Sequence, residues 1–334
     1  MQQEKQRAAM NRTLQASDEE MIVLRNRLLT LSSPTELKQI TNRTIQGDLL
    51  EIIDFLPPAF ADLIIIDPPY NLDRNFSGLK FKRMKDEDYF DYLESWFPKV
   101  IKTLKPNGSL YLCGDWKCTA ALYQVMNKYL TVLNRITWQR EKGRGSEKNW
   151  KNSMEDIWFA VFDPQAYYFN VDAVKVRRKV LAPYKQDGQP KDWEESEEGK
   201  FRMTHPSNFW DDITVPYWSM PENTDHPTQK SEKLIAKLIL ASCPPDGFVF
   251  DPFLGSGTTS VVAKKLGRNY CGIELNPEYA CWTEKRLEKA ATDKTIQGYS
   301  DGIFWERNSK PEQKDVYKKS DSTSGSTEPQ LTLF

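Results

Sequence analysis

The sequence contains little cysteine and histidine, the residues from which zinc sites and disulfide frameworks are built. Its 334 residues include five cysteines and two histidines, and no two cysteines form a C-x-x-C pair. Structural zinc sites and disulfide scaffolds depend on closely spaced sets of these residues. We therefore expect no metal site and no disulfide framework.

Long apolar runs and an excess of charge are absent too. No apolar segment approaches the roughly 20 residues that a membrane-spanning helix needs, and residues 1–12 lack the apolar centre of a signal peptide. Lysine and arginine (46) nearly balance aspartate and glutamate (47), which gives a net charge of −1. We expect a cytoplasmic protein without membrane contacts, in which any nucleic-acid contact comes from local basic patches.

The most informative stretch is an apolar run that ends in a carboxylate, two prolines and a tyrosine. Residues 63–66 are branched aliphatic residues, followed by Asp67, Pro68, Pro69 and Tyr70. Such a run is typical of a parallel strand buried on both faces, and the prolines cannot continue a sheet. Open α/β sheets bind ligands at the carboxyl ends of their strands, so Asp67 and Tyr70 are expected at that edge. Taken alone, the Asp-Pro-Pro segment is equally typical of a turn.

Short strands and amphipathic helices alternate around this run. Strands are predicted over residues 61–66, 109–113 and 131–138, helices over residues 86–104 and 118–130, and a turn over residues 105–108. The alternation predicts an α/β fold with a doubly wound, mostly parallel sheet. Changes in composition divide the chain into a helical extension (1–40) with a capping box at Ser17 and Glu20, three segments (41–138, 139–225 and 226–308), and a disordered polar tail (309–334).

A second strand that ends in an acid is predicted near residue 251. Asp251 is followed by a loop with Gly255 and Gly257, a helix over residues 260–266, and a strand that ends at Glu274. The glycines let the backbone approach a ligand, and the amides at the start of the helix favour an anionic group. Glu274 is placed to accept hydrogen bonds from ribose hydroxyls. Together these features predict a half-site for a nucleoside cofactor.

The details of this loop favour S-adenosylmethionine as the cofactor. A nicotinamide site would have a third glycine where Ser260 stands, and no G-x-x-x-x-G-K-[ST] phosphate loop is present. S-adenosylmethionine carries only a carboxylate as its anionic group, and its ribose is free to meet an acid. The predicted cofactor contacts in this loop are Asp251, Phe253, Gly255, Ser256, Gly257 and Thr258.

The segment over residues 139–225 breaks the alternation and carries two basic stretches with interleaved aromatic residues. Charge runs of this kind are usually solvated surface. Here the composition modestly favours DNA binding through phosphate and base contacts. The candidate contacts are Arg140, Lys142, Arg144, Lys148, Lys175, Arg177 and Arg178.

Two motifs in this order, Asp67-Pro68-Pro69-Tyr70 and then residues 251–259 (DPFLGSGTT), resemble the β-class amino-group DNA methyltransferases. The resemblance implies a Rossmann-like methyltransferase domain whose catalytic half is residues 41–138 and whose cofactor half is residues 226–308. It implies that residues 139–225 form an inserted target recognition region. It further implies cofactor contacts by Asp48 and by Thr228, Gln229 and Lys230. Neither His226 nor Glu155 receives a predicted role.

The chemistry that this resemblance implies is methyl transfer to an exocyclic amine of a base in double-stranded DNA. Asp67 and the carbonyl of Pro68 would accept the amine hydrogens, Pro69 would keep that carbonyl rigid, and Tyr70 would stack on a flipped base. Adenine N6 is favoured over cytosine N4, because the cytosine enzymes of this family usually carry serine at the position of Asp67. No cysteine is a candidate nucleophile for methylation at cytosine carbon 5.

Several alternatives stay open at this point. They are cytosine-N4 methylation, methylation of RNA or a small molecule, and a DNA-binding regulator that has lost activity. A cognate restriction endonuclease and a homodimer are further expectations about partners.

Overall fold

The computed structural model describes residues 8–76, 79–140, 147–180, 185–186, 189–190, 192–196 and 199–305. Three of the predictions above, for Lys142, Arg144 and the tail over residues 309–334, lie outside the described residues. Within the described part of the chain, no helix is long and apolar enough to cross a membrane. The five cysteines are buried and unpaired.

A central sheet of eight strands, in the order β1-β15-β14-β2-β5-β7-β6-β13, organises the molecule. The first five strands of this order are parallel to one another, and β7 runs antiparallel to both of its neighbours. The predicted doubly wound, mostly parallel sheet is confirmed. The strands are β1 (Arg43–Gln46), β2 (Ala61–Ile66), β5 (Leu104–Gly114), β6 (Thr131–Gln139), β7 (Met154–Val161), β13 (Phe209–Trp210), β14 (Phe248–Asp251) and β15 (Asn269–Glu274).

Helices cover both faces of this sheet. In the described residues they are α1 (Asp18–Arg25), α2 (Leu37–Ile40), α3 (Leu49–Ile52), α4 (Asp86–Ile101), α5 (Thr119–Tyr129), α6 (Glu232–Ser242), α7 (Thr258–Lys265) and α8 (Pro277–Thr292), with short 3-10 helices at Ile53–Phe55 and Asp172–Val174. Leu63 and Ile65 face the core that α6, α7 and α8 cover, whereas Ile64 and Ile66 face the core under α4 and α5. The predicted burial of this strand on both faces is confirmed.

Strand β2 pairs with β14, although almost two hundred residues separate them in the chain. Leu63 lies opposite Val249 and Ile64 lies opposite Phe250. The two parallel strands therefore end side by side, one before Asp67 and the other at Asp251. The chain leaves β2 in one direction along the sheet and returns to β14 on its other side, which is the kind of switch point where open α/β sheets bind ligands.

Some predicted boundaries were wrong. Residues 105–108, predicted as a turn, belong to β5, because β5 pairs with Ala61 through Leu104 and with Leu63 through Ser109. Between these two pairs the chain moves on by five residues in β5 but by only two in β2. The extra residues of β5 form an irregularity in the ladder. Helix α7 begins at Thr258, two residues before the predicted start.

The insert forms most of a second, five-stranded sheet in the order β11-β12-β8-β17-β16. Phe304 pairs with Val176, so the last described strands complete this sheet. Phe304 and Trp305 therefore pair with the insert, although the prediction assigned them to the segment over residues 226–308, and residues 299–300 pair with residues 303–304. The strands are β8 (Val176–Lys179), β11 (Glu194–Ser196), β12 (Gly199–Thr204), β16 (Tyr299–Ser300) and β17 (Ile303–Trp305), and separate two-stranded pairs join β3 (Arg74–Phe76) to β4 (Leu79–Phe81) and β9 (Lys185–Gln186) to β10 (Gln189–Pro190).

The N-terminal extension packs against the main domain. The predicted capping box at Ser17 and Glu20 is confirmed, and it begins α1. Glu20 also pairs with Lys285 of α8 at 2.7 Å. Leu29 forms an isolated parallel bridge with Ile45 and so extends the edge of the sheet.

Substitution of Gly257 would test how tightly the turn between β14 and α7 is packed. Its φ is +81°, and an added Cβ would lie 2.4 Å from Thr283 Cγ2. Gly267 is the matched control, because its φ of +73° is similar but no atom lies within 4 Å of an added Cβ. We expect Gly257→Ala to lower the free energy of unfolding by about 1–3 kcal/mol more than Gly267→Ala, because only Gly257→Ala adds overpacking. Chemical denaturation would measure both, and equal losses would contradict this packing.

Candidate active site

A cavity of about 720 Å³ opens at the carboxyl edge of the central sheet. This volume lies within the range of ligand and cofactor pockets. Every predicted catalytic and cofactor residue except Gly257 lines it. These residues are Asp48, Asp67, Pro68, Pro69, Tyr70, Thr228, Gln229, Lys230, Asp251, Phe253, Gly255, Ser256, Thr258 and Glu274.

The carboxylate of Asp67 is held on both oxygens. Its Oδ2 lies 2.6 Å from Lys230 Nζ, and its Oδ1 accepts a hydrogen bond of 2.8 Å from the Tyr70 hydroxyl. Lys230 Nζ is also 3.3 Å from Glu155 Oε2, and Arg140 pairs with the other oxygen of Glu155. Asp67, Lys230, Glu155 and Arg140 therefore form a cluster of two carboxylates and two cations. Buried charges need such pairing, since removing one partner leaves an uncompensated charge.

Tyr70 and Pro69 are fixed by neighbouring side chains. Burial and the adjacent Asp67 carboxylate raise the pKa of Tyr70 well above its ordinary value, so its hydroxyl stays protonated and can donate. The hydroxyl of Tyr89 in α4 donates to the carbonyl of Pro69 at 3.1 Å. These contacts hold the segment after β2 in one conformation.

Lys230 lines the cavity, where its ammonium group lies on Asp67 and its side chain is only 8% exposed. The contact to the methionine end of the cofactor that the resemblance implied stays a prediction. The ammonium group also lies 5.4 Å from the centre of the Tyr70 ring. Lys230 therefore joins the two halves of the chain through their charged side chains.

Arg140 was predicted to contact DNA, and the structure places it in the lining of the cavity. Its guanidinium pairs with Glu155, which is 3% exposed near the start of β7. This pairing neutralises a buried carboxylate, and the contact of Arg140 with DNA stays a prediction. The sequence signal that we did not use is Glu155 itself, a charged residue that begins a predominantly apolar strand.

Asp251 shapes the glycine loop from within. Its Oδ1 accepts from the amide of Phe253 at 3.0 Å, and its Oδ2 accepts from the Thr259 hydroxyl at 2.6 Å. Burial raises the pKa of Asp251 to about 7. The carboxyl group thus fixes the loop that follows β14 where it lines the cavity.

Glu274 braces the same loop from the end of β15. Its Oε2 accepts from the amide of Gly255 at 2.7 Å, and its Oε1 accepts from the amide of Asn276 at 2.8 Å. Burial raises the pKa of Glu274 to about 7. Asp48 plays a comparable local part, because its side chain caps α3 by accepting from the amide of Leu50 at 2.9 Å.

Arg286 is a structural residue of this site that sequence reasoning missed. It is 4% exposed and donates to the carbonyl of Ser256 at 2.7 Å and to the Thr258 hydroxyl at 3.0 Å. It also pairs with Glu232 at 3.0 Å. The arginine in α8 therefore pins the loop to α6. No motif in the sequence marks it, since it looks like an ordinary charged residue of an amphipathic helix.

His226 and Gln229 stabilise the segment before α6. The His226 ring packs edge-on against Tyr279, with centroids 4.5 Å apart, and burial lowers the pKa of His226 to about 4, which keeps the ring neutral. Gln229 accepts from the amide of Thr224 at 2.9 Å and donates to the carbonyl of Glu222 at 2.7 Å. Gln229 thus supports the cavity wall mainly through its own segment.

Among the other described basic candidates, Lys148 is exposed in the loop before β7, and Lys175 pairs with Asp172 at 2.7 Å. The guanidinium of Arg177 lies between two rings, 4.4 Å from Phe201 and 5.0 Å from Trp305. Arg178, the next residue of β8, is half-buried. The DNA contacts of these residues stay predictions.

The residues present fit S-adenosylmethionine. Gly255 and Gly257 take positive φ angles of +57° and +81°, and a Cβ at Gly255 would meet the His226 ring at 3.1 Å, so the loop backbone can face the cavity only with glycine there. The half-buried carboxyl group of Glu274 lies at the next strand end, where a ribose would reach it. The fold and this site define an S-adenosylmethionine-dependent methyltransferase.

Comparisons with known proteins identify the family. A family model described as "DNA methylase", for N6 and N4 methylation, matches residues 61–285, which is 225 of the 334 residues. The DNA adenine methyltransferase YhdJ of Escherichia coli (strain K12) is 34% identical over 265 residues, covering 77% of this chain and 86% of that protein. The Type II methyltransferase M.HpaI of Haemophilus parainfluenzae is 30% identical over 248 residues, covering 74% of each.

Solved structures agree with this assignment. The M1.HpyAVI–SAM complex is 25% identical with a TM-score of 0.50, covering 73% of this chain and 98% of that chain. The cytosine-N4-specific PvuII DNA methyltransferase shares the fold, with a TM-score of 0.55 at 18% identity, covering 79% of this chain and 92% of that chain. The chain belongs to the N6/N4 DNA methylase family.

Asp251 gives the cofactor-free protein a pH-dependent stability. Its folded pKa of about 7 lies above the ordinary value of 3.8, so the folded protein holds a proton that the unfolded chain has lost between these values. The stability that Asp251 contributes is therefore fully present below about pH 4 and is lost as the pH rises through 7, by at most roughly 1.4 kcal/mol per pH unit. Asp251→Asn should flatten this fall, because an amide can still accept from Phe253 and donate to Thr259.

Denaturation of both proteins without cofactor, between pH 5 and pH 8, would measure this effect. Glu274 adds a fall of the same sign in both proteins, since burial raises its pKa to about 7 as well. The difference between the two proteins isolates Asp251, and parallel stability curves would contradict the assignment.

Lys230→Met should slow turnover because it disturbs the Asp67 carboxylate. The change removes the ammonium group that contacts both Asp67 and Glu155. Two carboxylates then lie near each other with one cation fewer, which disturbs Asp67, the carboxylate expected to contact the amine that receives the methyl group. We expect turnover to fall about ten-fold or more. Lys237→Met is the matched control, because this lysine is buried in α6 but pairs with Asp212 at 3.6 Å, away from Asp67. Equal turnover in the two folded variants would show that Lys230 does not act through Asp67.

Proposed function

We propose that this DNA methyltransferase transfers a methyl group to the N6 amine of adenine at specific sites in double-stranded DNA. One observation carries the proposal: the Asp67-Pro68-Pro69-Tyr70 segment and the glycine loop after β14 line one cavity at adjacent strand ends. When bound, S-adenosylmethionine supplies an activated methyl group. The remaining task of the protein is to place the amine and control its hydrogens.

Asp67 and the backbone carbonyl of Pro68 act on the amine. An exocyclic amine is a weak nucleophile because its lone pair is delocalised into the ring. Two acceptors at its hydrogens favour a tetrahedral nitrogen whose lone pair points at the methyl group, and alignment of this kind is a large part of the rate. Lys230 and the Tyr70 hydroxyl hold the Asp67 carboxylate at 2.6 and 2.8 Å, so its orientation is set before the base arrives.

The cavity also suits a base taken out of the duplex. An amine inside a base pair is out of reach of a recessed carboxylate, so the target nucleotide must be extruded at a cost of about a few kcal/mol. Tyr70 offers a ring for stacking and Pro69 a rigid wall. Asp48 and Glu274 are proposed to contact the adenine and the ribose of the cofactor, and Thr228, Gln229 and Lys230 its methionine end.

Adenine is preferred over cytosine for two reasons. Asp67 stands where cytosine-N4 enzymes of this family usually carry serine, and the relative YhdJ is named a DNA adenine methyltransferase. Cytosine N4 is the second candidate, because the PvuII cytosine-N4 enzyme shares the fold. Methylation at cytosine carbon 5 is not favoured, since burial raises the pKa of the cavity residue Cys113 far above neutrality and keeps it a thiol.

The domain roles and partners belong to the same proposal. Residues 41–138 supply the amine-binding half, residues 226–308 the cofactor half, and residues 139–225 target recognition. M.HpaI is named a Type II methyltransferase, so the proposal includes a restriction–modification system with an endonuclease that cuts the same site. A homodimer stays a prediction.

Product analysis tests this function. Wild-type protein would be incubated with unmethylated genomic DNA and labelled S-adenosylmethionine, and the nucleosides would be separated by mass spectrometry. We expect N6-methyladenine, and sequencing of the modified DNA would identify the site. Asp67→Ala should lose turnover by about 100-fold or more but bind the cofactor, because its side chain does not hold the glycine loop.

The outcomes separate the alternatives. Detection of N4-methylcytosine would mean that cytosine N4, and not adenine N6, receives the methyl group. Incorporation into RNA alone would refute the DNA substrate. DNA binding without any incorporation would indicate an inactive regulator. Near-full activity in Asp67→Ala would remove the proposed role of this carboxylate.

A further inference from the structure

Trp150 is the most exposed large hydrophobic side chain in the described part of the chain, at 94%. It lies between β6 and β7, in the part of that connection over residues 147–153, which we call the edge loop. Exposing a whole indole ring to water is unfavourable, because tryptophan carries a large apolar surface. A ring in this position is therefore a candidate for contact with a partner.

The edge loop lies at the mouth of the catalytic cavity. Strand β7 runs antiparallel to β5 and β6, so its first residue is at the carboxyl edge where Asp67 lies. Asn152 and Met154 line the cavity just after Trp150, and the amide of Arg140 donates to the carbonyl of Ser153 at 2.6 Å to close the base of the loop. The edge loop therefore borders the cavity in which the extruded base is proposed to bind.

The neighbours of Trp150 have the charge that a nucleic acid requires. Lys148 and Lys151 are both exposed and lie on either side of it in the chain. Lysines contact phosphates without regard to sequence, whereas aromatic rings stack on bases. An exposed ring between two lysines matches the alternation of base and phosphate along a DNA strand.

We propose that Trp150 enters the base stack of the bound duplex and fills the space that the extruded adenine leaves. Apolar side chains inserted between base steps can hold a duplex in a distorted form, and an aromatic ring can stack on the bases beside it. Lys148 and Lys151 contact the phosphates beside this step. Trp150 is thus a positioning residue for base extrusion. The inference rests on the proposed function, because it requires a base that leaves a duplex.

Two duplexes that differ only opposite the target adenine would test this role. In one the adenine pairs with thymine, and in the other it faces an abasic site, which lowers the cost of extrusion. We expect Trp150→Ala to lower kcat/KM about ten-fold or more on the paired duplex. On the abasic duplex the same variant should lower kcat/KM much less. Trp150→Phe should retain most activity, because phenylalanine can still stack. Phe162→Ala is the control, since this exposed ring lies at the opposite end of β7.

A binding measurement gives a readout that does not depend on turnover. With 2-aminopurine in place of the target adenine, wild-type protein at saturation should raise the fluorescence as the base leaves the stack. Trp150→Ala should give a clearly smaller rise at the same saturation. An unchanged rise together with unchanged kcat/KM would overturn the proposal, as would an equal loss of kcat/KM on both duplexes.

The experiment separates this inference from the function on which it rests. If wild-type protein modified no adenine in the paired duplex, the proposed function would fail and this inference would fail with it. If wild-type protein were active and Trp150→Ala matched it, only the inference would fail.

Discussion

The parallel pairing of β2 with β14 is the constraint on which the rest of the structure depends. It sets Leu63 beside Val249, so the two strand ends that carry Asp67 and Asp251 open into the same cavity. Each strand needs helices on both faces to bury its aliphatic residues. The layers that cover the sheet, the cavity at its edge and the approach of the two halves all follow from this pairing.

The cavity also depends on charge balance. Lys230 reaches from the segment before α6 to Asp67 after β2, and Glu155 and Arg140 complete the set. Charges removed from water are tolerated when each has a partner. This arrangement ties the orientation of the acceptor carboxylate to the second half of the chain. Arg286 does the same for the glycine loop by linking Ser256 to α6 through Glu232.

The sequence predicted the strand over residues 61–66 and the loop after Asp251 because both depend on local chemistry. Branched aliphatic residues bounded by prolines are typical of a buried strand, and glycines separated by one residue are typical of a turn into a helix. The start of β5 was predicted wrongly because residues 105–108 have turn propensity, which pairing with β2 overrides. The ion-pair partners of Arg140 and Lys230 were not predicted, because a charged side chain reveals its partner only in three dimensions.

The amino-acid sequence by itself determined the α/β class, the two strand-end motifs and their order, and through them the resemblance to amino-group methyltransferases. These features lie in short segments whose residues act on one another directly. Only the tertiary structure decided that Lys230 meets both Asp67 and Glu155, that Arg140 lines the cavity, and that Trp150 is exposed in the loop that borders the cavity. Such contacts join residues far apart in the chain, and their geometry is fixed by the strand order of the sheet, which no local pattern encodes.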